Sequence, residues 1–466
     1  MVKTASEGAT LVWLRRDLRL EDHHPLWAAT HKSAKVYLVF VYDATILGAL
    51  SDPTDARLAF ITATLEALSH QLGSRKQALQ VVHGQPVDLI PQLAKDLGVD
   101  RVVAGEDYEP LAQKRDQAVE KALGNLGIGF FLFKDQVIFH KDEVLNQSHQ
   151  PFKVFTPYKK AWLSRLAVEP LKKYKPKLDR LTAWPKKMQK AWPTHPQLGF
   201  ESLPSPEAPG RDGARARLKK FLKVMDDYHL NRDFPAIDGC SSLAIHLRFG
   251  TISIRELVNQ ATLKVSEGRE VWLSELIWRE FYKAVLYWFP HVVKGCFKPK
   301  FDAIRWPGTK KAFEKWKGGE TGYPLIDAAM REFALTGRMH NRLRMIVAHF
   351  LVKDLHVDWR LGEQYFAEKL LDFDLSANNG GWQWSASVGC DAQPYFRIFN
   401  PAAQSKRFDP DGAYIKAQIP ALADVPPSVI HDPLTLAPHR PAAYPPPMVD
   451  HKAMRLETLE LFKSIG

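Results

Sequence analysis

An α/β domain followed by a large all-α domain is the architecture that this 466-residue chain predicts. Three observations carry the prediction. Strand-like and helix-like stretches alternate from residue 10 to about 133. The apolar spacing turns helical almost throughout from about Arg211. A Lys- and Pro-rich stretch separates the two.

Residues 10–14, 36–42, 79–82, 101–104 and 130–133 are rich in β-branched and aromatic side chains and read as strands. Between them, 56–72 has helical spacing and stops at Gly73, Pro86 opens a helix that Gly98 closes, and 111–123 is a third helix. Such alternation implies a parallel sheet covered on both faces. No G-x-G-x-x-G follows the first strand, which argues against a dinucleotide site there. From 134 to 190 there are 14 Lys/Arg against 5 Asp/Glu, and a Pro-rich piece follows to Gly210. This reads as an interdomain connection, its charge either facing nucleic acid or simply solvated. Helices are expected at 214–223, 254–265, 272–287, 324–335, 341–353 and 359–371. The Pro-rich stretch 423–447 reads as extended surface chain, with a last helix at 451–463.

Apolar content of 45% and charged content of 25% are those of an ordinary globular protein. Thirteen tryptophans are not ordinary, and indoles mark packing, stacking or binding. The net charge of +12 favours a polyanionic partner, nucleic acid before membrane surface, although a generic basic protein has the same balance. Cys240, Cys296 and Cys390 are far apart, which argues against a disulfide framework or a zinc site and for a reducing compartment. The start is not a secretory leader, since its short apolar run ends in Arg15-Arg16-Asp17, and no apolar run reaches the ~18 residues that span a bilayer. The prediction is a soluble intracellular protein.

Residues 371–400 hold most of the unusual chemistry: Asp372 and Asp374, Asn378-Asn379-Gly380-Gly381, then Trp382 and Trp384, with no lysine and a single arginine, Arg397. Paired Asn and Gly interrupt a helical stripe, so the stretch reads as a structured loop. It suits a flat polar ligand, or it is a buried loop whose amides cap neighbouring helices. Glu275, Trp278 and Arg279 share one helix face, which fits either nucleotide binding or a core indole beside a surface ion pair. Asn341, Arg344 and Met345 share another face, suited to capping or to a ligand. Ser241-Ser242 precede a helix-like run and read as its cap, with N–H groups that a phosphate would accept. Trp306, Trp359 and Trp382 read as core residues or as a set.

Taken together, these motifs resemble the DNA photolyase/cryptochrome family over nearly the whole chain. The resemblance lies in LVWLRRDLRLEDH near the start, DYEP at 107–110, VFTPYKKAWL at 154–163 and ELIWREFY at 275–282. It continues in TGYPLIDAAMRE at 321–332, MHNRLRM at 339–345 and DFDLSANNGGWQWSASVGCDAQPYFRIFNP at 372–401. It implies a Rossmann-like antenna-binding domain at 1–133, a linker at 134–210 and a helical FAD- and DNA-binding catalytic domain at 211–466. Asn378 and MHNRLRM look like class I cyclobutane pyrimidine dimer photolyases.

By that resemblance, Tyr228, Ser241, Trp272, Arg279, Arg344, Asp372, Asp374 and Asn378 surround FAD, with both aspartates salt-bridging Arg344 and Asn378 facing flavin N5. Trp278 and Trp384 stack on the flipped lesion, Glu275 and Asn341 hydrogen-bond its edges, and Met345 presses on one face. Glu275 also stabilises charge on the dimer carbonyl. Arg232, Arg342 and Arg397 contact DNA phosphates or line the cavity, as does Arg279 in a competing assignment. Trp306, Trp359 and Trp382 form an electron chain. Glu109 is expected to contact an antenna, methenyltetrahydrofolate first, 8-hydroxydeazaflavin second, or none. The implied partner is DNA containing pyrimidine dimers, met by a monomer with no membrane contact, in the cytoplasm and nucleoid-associated in a bacterium. A cryptochrome-like photoreceptor without repair is the alternative, and a non-catalytic DNA-binding protein the third reading. The chain departs from the family's T-S-x-L-S run at Cys240 and Ala244, where two hydroxyls are missing and altered FAD phosphate contacts are expected. Glu106 replaces a common Asn, and Arg338 stands where an aromatic residue usually precedes Met-His-Asn.

Overall fold

The computed structural model describes residues 8–465. The first seven, part of the predicted N-terminal domain and of the start read as no leader, lie outside the described residues. The chain forms two compact units. The first runs to Pro151 and adds Lys159–Lys223 and Ser241–Glu280; the second is Phe152–Tyr158, Val224–Cys240 and the chain from Phe281 onward.

In the first unit, strands β1 (Ala9–Leu14), β2 (Lys35–Asp43), β3 (Leu79–Gly84), β4 (Arg101–Gly105) and β5 (Gly129–Phe133) form a parallel sheet in the order β3-β2-β1-β4-β5. Thr10 lies opposite Val36 on one side and Arg101 on the other. Leu11, Val12, Trp13 and Leu14 are all buried, the continuous apolar run that a sheet covered on both faces requires. Helices α1 (His24–Lys32), α2 (Ala56–Leu72), α3 (Pro86–Leu97) and α4 (Pro110–Gly124) connect the strands. The Asp55 carboxylate caps α2 and Gly73, at φ 56°, closes it. The segment after the sheet is packed rather than loose around Trp184, which is buried and donates its indole N–H to the carbonyls of Leu38 and Ala78 at 3.1 and 3.0 Å.

Helix α5 (Glu267–Trp288) carries the chain from the first unit into the second. The second unit contains α6 (Pro324–Thr336), α7 (Asn341–Lys353), α8 (Trp359–Lys369) and α9 (Leu375–Ser385). Ile326, Phe333, Val347, Phe350 and Leu351 lie at the centre of its core. Side chains of His340, Asp358 and Asp374 cap α7, α8 and α9 by accepting from Arg342, Arg360 and Ser376 N–H.

Helix α9 corrects the reading of 371–400 as a loop. Tertiary contacts override the weak propensity of Asn-Asn-Gly-Gly. Asn379 Nδ2 donates to Val292 O at 3.0 Å, and Gln383 Nε2 donates to Val292 O and Gly295 O at 3.0 and 3.1 Å. Gly380 is where the Tyr282 ring meets the helix, leaving no room for a Cβ.

Candidate functional site

Most of the polar candidates lie in the second unit, where α7, α8 and α9 carry them. The sharp entry to α7 is set by His340. Its Nδ1 accepts from Arg342 N–H at 3.2 Å, and burial pushes its pKa down to about 4, so the ring is neutral and Nε2 bears the proton. That proton points to Cys240 Sγ at 3.5 Å, while the thiol donates to Arg232 O at 3.8 Å. The sulfur at 240 is thus engaged with protein groups where the family carries a hydroxyl.

One turn into α7, Arg344 Nη2 donates to both Asp372 oxygens at 3.0 and 2.9 Å, and Nε donates to Met339 O at 2.9 Å. The pairing of Asp374 is different. Lys283 Nζ, on α5, donates to Asp374 Oδ2 at 2.8 Å, with both side chains largely buried, and Oδ1 caps α9. The expectation that both aspartates salt-bridge Arg344 is corrected: Asp372 holds Arg344, whereas Asp374, with one oxygen held at a helix start, turns the other to Lys283.

Asn378 projects from α9 towards α8. Its Nδ2 donates to Glu363 O at 3.0 Å and to Glu363 Oε1 at 2.8 Å. A carbonyl oxygen only accepts, so the amide orientation is fixed, and Oδ1 is left as an acceptor. Burial raises the pKa of the Glu363 carboxyl, against a smaller downward pull from the Asn378 amide.

Arg342 is tied to Asp233 at 2.8 Å, lies 4.5 Å over the Phe408 ring, and reaches Met345 Sδ at 3.7 Å. Arg232 lies 5.3 Å over the Tyr228 ring. Asn341 and Arg397 are exposed. The backbone at Arg397 is held by His349, whose Nε2–H donates to Arg397 O at 3.2 Å and whose ring stacks on Phe399 at 4.0 Å. Burial first, then the nearby Lys353 charge, pushes the His349 pKa down to about 3.

Trp382 and Trp384 lie about 160° apart around α9. Trp382 is buried against Phe366 at 5.0 Å and Trp316 at 6.1 Å; Trp384 is half-buried, with His349 at 6.5 Å. Trp359, the first residue of α8, is buried, and Trp306 is half-buried against Phe462 at 6.2 Å. Trp306, Trp359 and Trp382 have no mutual ring contact among the described residues.

The remaining candidates belong to the first unit. On α5, Trp272 is buried against Phe221 at 5.0 Å, while Glu275, Trp278 and Arg279 are half-buried and Arg279 Nη1 donates to Gln136 O at 2.6 Å. Ser241 is half-buried. The Ser pair does not cap the helix after it: Leu243 is the cap residue, without a side-chain bond, and Ser242 takes φ 52°. Glu109 Oε1 accepts from Arg16 and Arg248 at 2.8 and 2.9 Å.

Lys283, Glu363, Asp233 and His349 are the partners that sequence reasoning missed. Lys283 had a faint signal, a lone cation in the apolar turn Tyr282–Leu286. Glu363 and Asp233 had none, since their partners lie 15 and 109 residues away.

Two family profiles match. "DNA photolyase" covers residues 10–177 and "FAD binding domain of DNA photolyase" covers 272–464. The "Deoxyribodipyrimidine photo-lyase" of Vibrio cholerae is 40% identical over 97% of this chain and 99% of its own. A crystal structure of a bacterial class III photolyase from Agrobacterium tumefaciens is 30% identical, with a TM-score of 0.88 over 100% of this chain and 99% of that one. An archaeal photolyase from Sulfolobus tokodaii, solved with two FAD molecules, is 32% identical, with a TM-score of 0.83 over 98% of this chain and 100% of that one.

Proposed function

We propose that this chain, which belongs to the DNA photolyase family, repairs cyclobutane pyrimidine dimers in DNA with light. Its helical half carries a photolyase FAD-binding domain; FAD, when bound and reduced, would supply light-driven one-electron chemistry with no net redox change. The donor set suits a flavin. Arg344 and Asp372 would present a fixed ion pair to a polar edge and Asn378 Oδ1 would accept from an N–H at flavin N5, while Tyr228, Ser241, Trp272 and Arg279 are further FAD candidates by the family resemblance. Asp374 contributes through α9, which it caps while holding Lys283.

The lesion pairs and stacks poorly, so flipping it out costs less than flipping an intact base. Trp278 and Trp384 stack on it, Glu275 and Asn341 bond its edges, and Met345 closes one face. Glu275 is our candidate for the group that meets the charge developing on a dimer carbonyl. Arg397 is exposed and meets phosphate, as does the half-buried Arg232; Arg342 acts from the Asp233 pair. Trp306, Trp359 and Trp382 relay electrons inward. Residues 1–133 form the antenna domain, with folate near Glu109 ahead of a deazaflavin, 134–210 the connection and 211–466 the catalytic domain. The subgroup we favour is class I, on Met339–Met345; the likeness to a class III photolyase supports a second assignment.

The observation that carries repair over light sensing is Asn378, a neutral amide locked by Glu363 with its carbonyl left to accept. The test is to mix reduced, FAD-loaded protein with a dimer-containing oligonucleotide. Light-dependent return of pyrimidine absorbance supports repair; binding without any return supports the cryptochrome-like reading.

A further inference from the structure

We infer that Arg360 keeps the electron vacancy from resting on Trp359, so that Trp359 passes it on to Trp306; this rests on the proposed role of the tryptophan series. Trp359 is 1% exposed. The Arg360 guanidinium carbon lies 4.9 Å over its ring. That contact is fixed, because all three guanidinium nitrogens are held. Nη1 donates to both Asp358 oxygens at 3.3 Å, Nη2 donates to Asp302 and to Cys296 Sγ at 3.8 Å, and Nε donates to Lys294 O at 3.3 Å.

An indole that has given up an electron is a cation, and it has two ways to become stable. It can sit beside negative charge, or it can lose its N–H proton to a base. At Trp359 a positive group faces the ring. Among the described residues its buried Nε1–H has no better acceptor than Cys296 Sγ, a buried thiol and a very weak base. At Trp306 the ring is half-buried, and among the described residues no cation lies over it.

The steps balance as one-electron exchanges. With FAD bound, the photoexcited flavin would be the oxidant of Trp382; oxidised Trp382 takes an electron from Trp359, oxidised Trp359 takes one from Trp306, and the Trp306 N–H proton leaves to water. Without Arg360 its two partner carboxylates, Asp302 and Asp358, would be left uncompensated beside Trp359 and would hold the vacancy there. A unit charge at this distance, one-third exposed, shifts the balance between the two rings by on the order of ten-fold.

The experiment is transient absorption of FAD-loaded protein after a light flash, following long-lived tryptophan radicals. Arg360→Met should lower the yield of the deprotonated Trp306 radical about ten-fold and leave the protonated form of Trp359 in its place, while Arg360→Lys restores the original spectrum. Asp358→Asn keeps a good helix cap and makes the site more positive, so it should quicken the loss of the Trp359 signal even if Arg360→Met does not fold. Repair by chemically reduced protein should be unchanged in all three, because it does not draw on the series. If Trp359→Phe abolishes the radicals but Arg360→Met and Asp358→Asn leave them as they were, the inference is wrong. If Trp359→Phe itself changes nothing, the tryptophan series is wrong.

Discussion

Gly380→Ala and Gly381→Ala, one residue apart on α9, should change stability in opposite directions. A Cβ at 380 would fall 2.2 and 2.4 Å from Tyr282 Cδ1 and Cε1, so the ring or the helix must move. Overpacking of this kind costs about 1–3 kcal/mol, offset in part by the ~1 kcal/mol that Ala gains over Gly inside a helix. A net loss of about 1 kcal/mol is expected. A Cβ at 381 meets nothing within 4 Å, so the helix gain stands alone, at about 1 kcal/mol of added stability. The pair should therefore differ by about 2 kcal/mol, a shift of roughly 4–8 °C if the second unit melts as one body of ordinary size. Thermal and urea unfolding followed by helical circular dichroism reads both variants side by side. Were Gly381→Ala to destabilise as much as Gly380→Ala, the two glycines would be serving a turn with positive φ, and the helical account of 375–385 would be refuted.

The site makes further commitments. Asp372→Asn removes the charge that Arg344 grips through two contacts, so FAD affinity should fall about 10–100-fold, read by flavin fluorescence released on dialysis. His349 is neutral when folded, with its pKa pushed down to about 3, whereas an unfolded histidine gains a proton below about 6.5. Its contribution to stability is present above that value and is lost as pH falls, about 2 kcal/mol between pH 7 and pH 5. His349→Gln, which still donates to Arg397 O, should flatten the pH dependence of urea unfolding by that amount; an unchanged slope would mean the ring is already charged in the folded protein. Affinity for DNA should fall steeply with salt as phosphate contacts release counterions, and a flat response in a filter-binding titration would remove the basic surface from the account.

The elements that the sequence predicts well are those whose signal is local. Helix α2 runs over 56–72 as its spacing and Gly73 indicate, and α7 starts at Asn341 because a capping side chain sits beside it in the chain. Helix α1 escaped because its cap is a histidine, which does not resemble a Ser or Asp start. Helix α9 escaped for a different reason: its stability comes from Tyr282, Val292 and Gly295, distant in sequence, which accept its glycine and amide groups. The site follows the same division. Arg344 and Asp372 are legible through the family motif, whereas the assignment of Asp374 to Lys283 and of Asn378 to Glu363 depends on how α5, α8 and α9 cross, which spacing alone does not encode. Cys240 is a departure that sequence reads only as a lost hydroxyl; the structure adds that its sulfur bonds His340 and Arg232.

The central claim is light-driven repair, and turnover tests it most directly. Reduced, FAD-loaded protein is mixed with an excess of dimer-containing oligonucleotide and illuminated with blue light, and intact pyrimidines are counted per protein molecule. The account predicts many dimers reversed per molecule in the light, none in the dark, and no net consumption of reductant. Tight binding of the lesion with no reversal under the same illumination would contradict it.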